Sequence, residues 1–552
     1  MPEGTPLLEV ADLAVDFALP DGVIEAVRGV SFTLHARESL AIIGESGSGK
    51  SVTANAILGL IDMPPGVIRR GDIGFDGQSL LRMPARQRRS LYGREIAVVF
   101  QDPLTHLNPV YSVGWQVAEV CRIHGMDSRS AWKRSLELLD RVGIPNVKRR
   151  SRDYPHQFSG GQRQRVMIAM SMALRPRLLI ADEPTTALDV TVQAQILDLI
   201  RDIQEETGTG LLLITHDLGV AADIADRVVV MKDGRFVEEG PTSDVLMQPR
   251  HPYTRALIKA ATSEPRPVRE ATETILSVES LGLNYGAVAA LEDISFELKR
   301  GEILCIVGES GSGKSSLAST ILQLKAPDTG TIRFRSKDIA QMTAAEQKAY
   351  RRAVQAVFQD PFSSLNPRMT IFDIICEPWT IQKGVLPKEK WRVRAIELLE
   401  SVGLSESALE RYPGDFSGGQ RQRIAIARAL ALDSEIIVCD EAVSALDMSV
   451  QAQVIKLLAR LSEDYGVALI FISHDLNLVR SFADRVLVMR HGRIVEQGRT
   501  AKLFAQPATD YTRMLIASSP VLNPSQQAER RNAFRLLTAG SPDPALAIDR
   551  SA

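Results

Sequence analysis

The chain lacks the features that would tie it directly to a bilayer, a polyanion or an oxidising compartment. It has no uninterrupted apolar run of about 18 residues, so the sequence offers no transmembrane helix. It has no excess of positive charge: 65 Lys and Arg stand against 67 Asp and Glu, a formal net charge of −2. A protein that grips nucleic acid over a long surface usually carries a basic excess. Cysteine is scarce. Cys121, Cys305, Cys376 and Cys439 form no CxxC pair and read as buried or incidental thiols of a reducing compartment. The opening MPEGTPLLEVADLAVDF carries acids and lacks the basic-then-apolar order of a secretory signal. What remains is ordinary globular composition, 45% hydrophobic and 24% charged over 552 residues. Composition therefore predicts a soluble, intracellular chain of about 3–4 domains.

Internal repetition decides the architecture. GESGSGKS occupies Gly44–Ser51 and recurs at Gly308–Ser315, 264 residues on. VFQDP (from Val99 and Val357), FSGGQRQR (from Phe158 and Phe416) and HDL (from His216 and His474) each recur 258 residues on. The constant later offset means the halves align almost without gaps there, and six extra residues sit between the first two motifs of the first half. The chain is one domain written twice. The expected division is a first domain over 1–262, a polar Pro-containing linker over 263–274, a second domain over 275–520 and a tail over 521–552. The tail, rich in Gln, Arg, Ala and Pro, is expected to be irregular or partly disordered.

Short apolar runs enter glycine loops (SLAIIG, EILCIVG), end in paired acids (LLIADE, IIVCDE) or end in Ser/Thr-His-Asp (LLLITHD, ALIFISHD). Such unalternated runs suit strands covered on both faces of a parallel sheet. The loops Gly44, Glu45, Ser46, Gly47, Ser48, Gly49, Lys50, Ser51 and Gly308, Glu309, Ser310, Gly311, Ser312, Gly313, Lys314, Ser315, followed by Val52 and Ser316, fit the phosphate-loop pattern. Their glycines let backbone N–H groups turn toward an anion at a helix N-terminus. Lys50 and Lys314 would reach the β- and γ-phosphates, and the Ser51 and Ser315 hydroxyls would ligate Mg²⁺. An acid at a strand end can hold the same metal, a role assigned to Asp182 and Asp440. The next carboxylates, Glu183 and Glu441, are placed to polarise a water and are the candidate general bases.

The order phosphate loop, VFQDP, SGGQ, DE with ALD, then Ser/Thr-His-Asp resembles the ATP-binding cassette (ABC) ATPases over nearly the whole chain. The resemblance implies an α/β fold of two tandem phosphate-loop NTPase domains, each a mixed or parallel sheet core with a helical subdomain. It implies ATP and Mg²⁺ as cofactors. It makes Ser159, Gly160, Gly161, Gln162 and Ser417, Gly418, Gly419, Gln420 signature loops that meet a γ-phosphate held by the opposite half. Gln101 and Gln359 match the glutamine that contacts Mg²⁺ or the lytic water. Asp189 and Asp447 match the aspartate of ALD, and His216 and His474 match the switch histidine. Tyr285, and Phe17 in the first half, are the candidates to stack on adenine. Both sites keep their glutamate and histidine, so two hydrolysis-competent sites are expected, with Ala442-Val443-Ser444 replacing Pro184-Thr185-Thr186 in the second.

QDPLTHLNP and QDPFSSLNP, HPYTRALI and DYTRMLI, and the VQAQ segments after ALD resemble the peptide/nickel importer branch of that family. The resemblance implies an ATPase at the cytoplasmic face of the bacterial inner membrane. It would attach through two permease subunits, with a periplasmic or lipid-anchored binding protein choosing the solute, and bind no nucleic acid. The rival is a soluble tandem ABC ATPase acting on ribosomes or nucleic acid, but the linker is short and mixed in charge and both signatures end in Gln. The branch's occasional iron–sulfur cysteine cluster is not expected, since the last cysteine is Cys439.

Overall fold

The two halves fold as two units on one plan. The structure is a computed structural model that describes residues 5–20, 22–186, 188–262, 266, 273–358, 360, 364–444 and 446–539. One unit comprises Met1–Lys259 with Pro520–Ala552, and the other Ala260–Ser519.

The first unit carries β1 (Leu8–Leu19), β2 (Gly22–Leu34), β3 (Ser39–Ile43), β4 (Gly66–Phe75), β5 (Gln78–Ser79), β6 (Ile96–Val99), β7 (Leu178–Asp182), β8 (Gly210–Thr215), β9 (Arg227–Lys232) and β10 (Arg235–Pro241). They form an antiparallel sheet in the order β2-β1-β4-β5 and a six-stranded sheet in the order β10-β9-β3-β8-β7-β6. In the larger sheet β9, β3, β8, β7 and β6 run parallel and β10 closes an edge antiparallel to β9. Every residue of β3 and β8 is buried, as continuous apolar runs require when both faces are covered. Leu8, Leu13 and Ile73 of the smaller sheet share one core with Leu40, Ile42, Ile180 and Ile214 of the larger.

Between β6 and β7 the chain makes a helical subdomain. Its helix Ser128–Arg141 buries Ala131, Ser135, Leu138 and Leu139, a 3.6-residue stripe. Asp127 caps it by accepting from the backbone N–H groups of Arg129 and Ser130. Burying each leucine stabilises the packing by about 1.5–3 kcal/mol.

The second unit repeats this with β11 (Thr274–Tyr285), β12 (Val288–Lys299), β13 (Ile303–Val307), β14 (Thr329–Phe334), β15 (Lys337–Asp338), β16 (Val354–Val357), β17 (Ile436–Asp440), β18 (Ala468–Ile472), β19 (Arg485–Arg490) and β20 (Arg493–Arg499). The sheet orders are β12-β11-β14-β15 and β16-β17-β18-β13-β19-β20, strand for strand those of the first unit.

One expectation fails. Over 524–539 the tail is not irregular: it forms a helix, Pro524–Ala539, grouped with the first unit, while 540–552 lie outside the described residues. Asn523 caps it, its Oδ1 accepting from the N–H groups of Ser525 and Gln526. Ala, Gln, Arg and Leu are good helix formers. Phe534 is its buried anchor, at 2% exposure.

Candidate active site

β3 delivers the chain into the first glycine loop. Gly47 and Gly49 adopt φ of 76° and 106°, where a side chain is strained, and a Cβ on Gly49 would stand 2.5 Å from the Ala26 carbonyl oxygen. Lys50 opens the helix Lys50–Leu58 and is buried. Its Nζ donates to the Gly44 and Glu45 carbonyls, both at 2.8 Å, so the loop curls around the ammonium. No side chain caps this helix, which leaves its first-turn N–H groups for another acceptor. In the second unit Lys314 donates to Gly308 and Glu309 at the same distances and opens the equally uncapped helix Lys314–Ile321. The buried hydroxyls of Ser48 and Ser312 have no hydrogen-bond partner among the described residues. A buried ammonium, unclaimed helix N–H groups and an orphaned hydroxyl in one glycine cradle fit a bound polyphosphate.

The strand-end acids face this cradle. Ser51 Oγ lies 3.1 Å from Asp182 Oδ1, and Ser315 Oγ 3.3 Å from Asp440 Oδ1. Burial pushes both aspartic carboxyls up. A hydroxyl and a carboxylate oxygen this close are a hard-oxygen pair that suits Mg²⁺.

Glu183 and Glu441 sit at φ of 45° and 48°, just past β7 and β17. Three donors converge on the Glu183 carboxylate: Gln101 Nε2 at 2.8 Å and Thr186 Oγ1 at 3.0 Å on Oε2, and His216 Nδ1 at 3.1 Å from Oε1. Burial alone would raise its pKa, but His216 and Thr186 outweigh burial and hold it below the ordinary value. The Glu183 hydrogen bond in turn raises His216. In the second unit His474 Nδ1 lies 3.6 Å from Glu441 Oε1 and keeps that carboxyl low.

Ser159 and Ser417 are the N-caps of the helices Gly160–Ser171 and Gly418–Leu430. Each is locked in a reciprocal capping box with its glutamine: Ser159 N donates to Gln162 Oε1 at 3.3 Å, and Ser417 N to Gln420 Oε1 at 3.0 Å. These glutamines therefore shape the loop from within. Asp189 and Asp447 are the cap residues of the helices Val190–Thr207 and Met448–Tyr465. Tyr285 is exposed, with Lys325 Nζ 5.7 Å from its ring centre, whereas Phe17 is partly buried against the first core. Gln359 lies outside the described residues.

Three contributors were not picked out from the sequence. Thr186 appeared there only as part of a replaced tripeptide, yet it donates to Glu183. Tyr253 and Tyr511, from the repeated YTR segments, place their hydroxyls on the phosphate loops and accept from the N–H groups of Glu45 and Glu309, both at 3.3 Å. Lys232 lies over the first ring and Arg490 over the second, 4.9 and 4.7 Å from the centres. Their recurrence at a spacing of 258 residues was the available signal.

The chain resembles known proteins along most of its length. A family model described as ABC transporter matches residues 27–186 and 291–444. A second, described as oligopeptide/dipeptide transporter, C-terminal region, matches 237–281 and 495–539. The chain is 44% identical over 570 residues to a glutathione import ATP-binding protein, GsiA, of Escherichia coli O6:H1, covering 95% of this chain and 91% of that one. It is 43% identical over 586 residues to the protein of the same name from Pectobacterium atrosepticum, covering 98% and 93%. Among solved structures, cbiO1 from Clostridium perfringens, described as part of the ABC transporter complex cbiONQ, is 30% identical with a TM-score of 0.40, covering 43% of this chain and 92% of that one.

Proposed function

Because the chain belongs to the ABC transporter family and carries the oligopeptide/dipeptide region in both halves, we propose that it is the ATPase of an importer for small peptides or related solutes, with both cassettes hydrolysing ATP. Two permease subunits would supply the pathway; among the described residues no helix is long and apolar enough to cross a membrane. The chain would sit on them at the cytoplasmic face of the inner membrane, with a separate binding protein presenting the solute. The peptide-transporter region matched in both halves argues against action on ribosomes or nucleic acid.

The observation that carries the reading is the convergence of Gln101, Thr186 and His216 on Glu183, one residue from the Asp182–Ser51 oxygen pair. Ser51 with Asp182, and Ser315 with Asp440, would hold Mg²⁺, with Gln101 a further candidate ligand in the first unit. The ion when bound neutralises charge on the β- and γ-phosphates. Lys50 and Lys314 bind the phosphates, and the Ser159 and Ser417 loops supply N–H groups and a hydroxyl to the γ-phosphate. Glu183 and Glu441, held ionised, accept the proton of the attacking water. His216 and His474 orient those carboxylates, and Asp189 and Asp447 stand at the starts of the helices that follow.

The test is Glu183→Gln and Glu441→Gln, singly and together, in the chain assembled with its permeases. Each single variant is expected to retain ATP binding, and the double variant to lose phosphate release by about 10²-fold or more. Near wild-type release by the double variant would overturn the assignment.

A further inference from the structure

The helix after His216, Leu218–Ile224, is covered by chain that has already been through the second unit. At its N-terminal end Gly219 faces Pro520 so closely that a Cβ would stand 2.7 Å from Pro520 Cβ. At its C-terminal end Asp223, 6% exposed at its side chain, is shared by two arginines. Arg201 reaches its Oδ1 at 3.2 Å, and Arg531 of the tail helix reaches the same oxygen at 2.8 Å and the Asp223 carbonyl at 3.3 Å. Cations at the last carbonyls of a helix are favourably placed. One turn further along the tail, Arg535 makes a two-pronged pair with buried Asp198, both bonds at 3.0 Å, and reaches Asp202 at 3.1 Å. Phe534 is buried beside them.

This receptor belongs to the first half alone. At the repeat offset of 258 residues, Asp198, Asp202 and Asp223 become Lys456, Arg460 and Ser481, and Gly219 becomes Asn477. A tail bearing Arg530, Arg531 and Arg535 is complementary to one copy and repelled by the other. The helix after His474, Leu476–Phe482, has a different occupant. Arg266, from the segment leading out of the first half, donates its backbone N–H to the Ser481 carbonyl at 3.2 Å and pairs with Asp484 at 3.2 Å. Asp223 and Ser481 are equivalent positions, so each unit's post-histidine helix offers the same carbonyl to an arginine on the segment that leads out of the other half.

We propose that residues 520–539 are a strap: contributed by the second half of the chain, they seat on the helices Val190–Thr207 and Leu218–Ile224 of the first unit and hold the two halves together when nucleotide does not. The strap's occupant is fixed by charge and by the glycine opposite Pro520. It goes beyond the hydrolytic reading and is tested by a measurement independent of it.

A specific-protease site is inserted between residues 262 and 263 of the full chain. The cut protein is then run on gel filtration without nucleotide. Arg266 travels with the second fragment, so the strap is the link this cut tests. The fragments are expected to co-elute, and Arg531→Glu with Arg535→Glu to weaken their association by at least about tenfold. Arg531→Lys with Arg535→Lys should retain it, and deletion of 524–539 should match the charge reversal. Separation of the unsubstituted fragments, or undiminished association of the charge-reversed ones, overturns the proposal. Amide exchange on the uncut charge-reversed chain should quicken over 218–224 and stay unchanged in β3. Quickened exchange in both would make the segment a folding element of the first unit and equally overturn it.

Discussion

Gly161→Ala gives the sharpest test of how the signature loop is seated. Gly161 is the second residue of the helix Gly160–Ser171, and its backbone is helical, so alanine is conformationally acceptable there. Space is the obstacle. A Cβ would stand 2.4 Å from Val192 Cγ1, on the helix Val190–Thr207 that follows Asp189. Ordinary carbon–carbon contact is about 3.5–4.0 Å, so more than an ångström must be yielded by a rotamer change or by sliding one helix end. Overpacking of this kind costs about 1–3 kcal/mol, and the better helix propensity of alanine returns about 0.8–1.0. The expected net is a loss of roughly 0–2 kcal/mol. If that displacement is borne by the loop that receives the γ-phosphate, turnover falls by up to about tenfold per 1.4 kcal/mol. Val192→Ala removes the offending methyl, so Gly161→Ala/Val192→Ala should regain most of the turnover lost by Gly161→Ala alone. The assay is phosphate release on the assembled transporter, with thermal unfolding alongside, read as a double-mutant cycle. Independent, additive effects would refute the steric argument. The second unit should behave alike, since a Cβ on Gly419 would stand 2.0 Å from Val450 Cγ1.

Tyr253→Phe and Tyr511→Phe each remove an acceptor from a phosphate-loop N–H worth about 0.5–1.5 kcal/mol. A rise of about two- to tenfold in KM for ATP with kcat nearly unchanged is expected, and unchanged KM in both would remove the tyrosines from the site. The Glu183–His216 pair gives a pH signature. Glu183 is held below its ordinary value, so its contribution to stability is present above about pH 4.5 and lost as the pH falls through the lowered pKa. His216 is raised by Glu183, so its contribution is complete below about pH 6.5 and lost as the pH rises through the raised pKa. The Tm difference between wild type and His216→Gln should therefore be largest between about pH 4.5 and 6.5, and a pH-independent difference would contradict the pairing.

The legible parts of this protein were those written in consecutive residues. Eight residues specify the phosphate loop, two acids end a strand, and a histidine follows the next strand, so periodicity and local chemistry suffice. The tyrosine braces escaped because Tyr253 and Glu45 are 208 residues apart, and no local pattern marks a hydroxyl aimed at a backbone N–H. Thr186 escaped because it counts only through where its hydroxyl points. The tail was misread for a physical reason: its composition is polar, and much of what holds it is ion pairing with Asp198 and Asp223, over 300 residues earlier in the chain. A segment whose partners are charged and remote has no amphipathic signature strong enough to announce a packed helix.

The returning helix also orders events during synthesis. Arg531 emerges 308 residues after Asp223. At about 5–20 residues per second this is a delay of roughly 15–60 s, in which the whole second cassette is made. Throughout that interval the first cassette has both acids of its helix pair in water and an open notch above Gly219. Its phosphate loop, strand-end acids and histidine are complete, yet the helix that will seat on it has not been made. A message truncated just before Pro524 would therefore yield both catalytic centres without the strap that seats on the first unit.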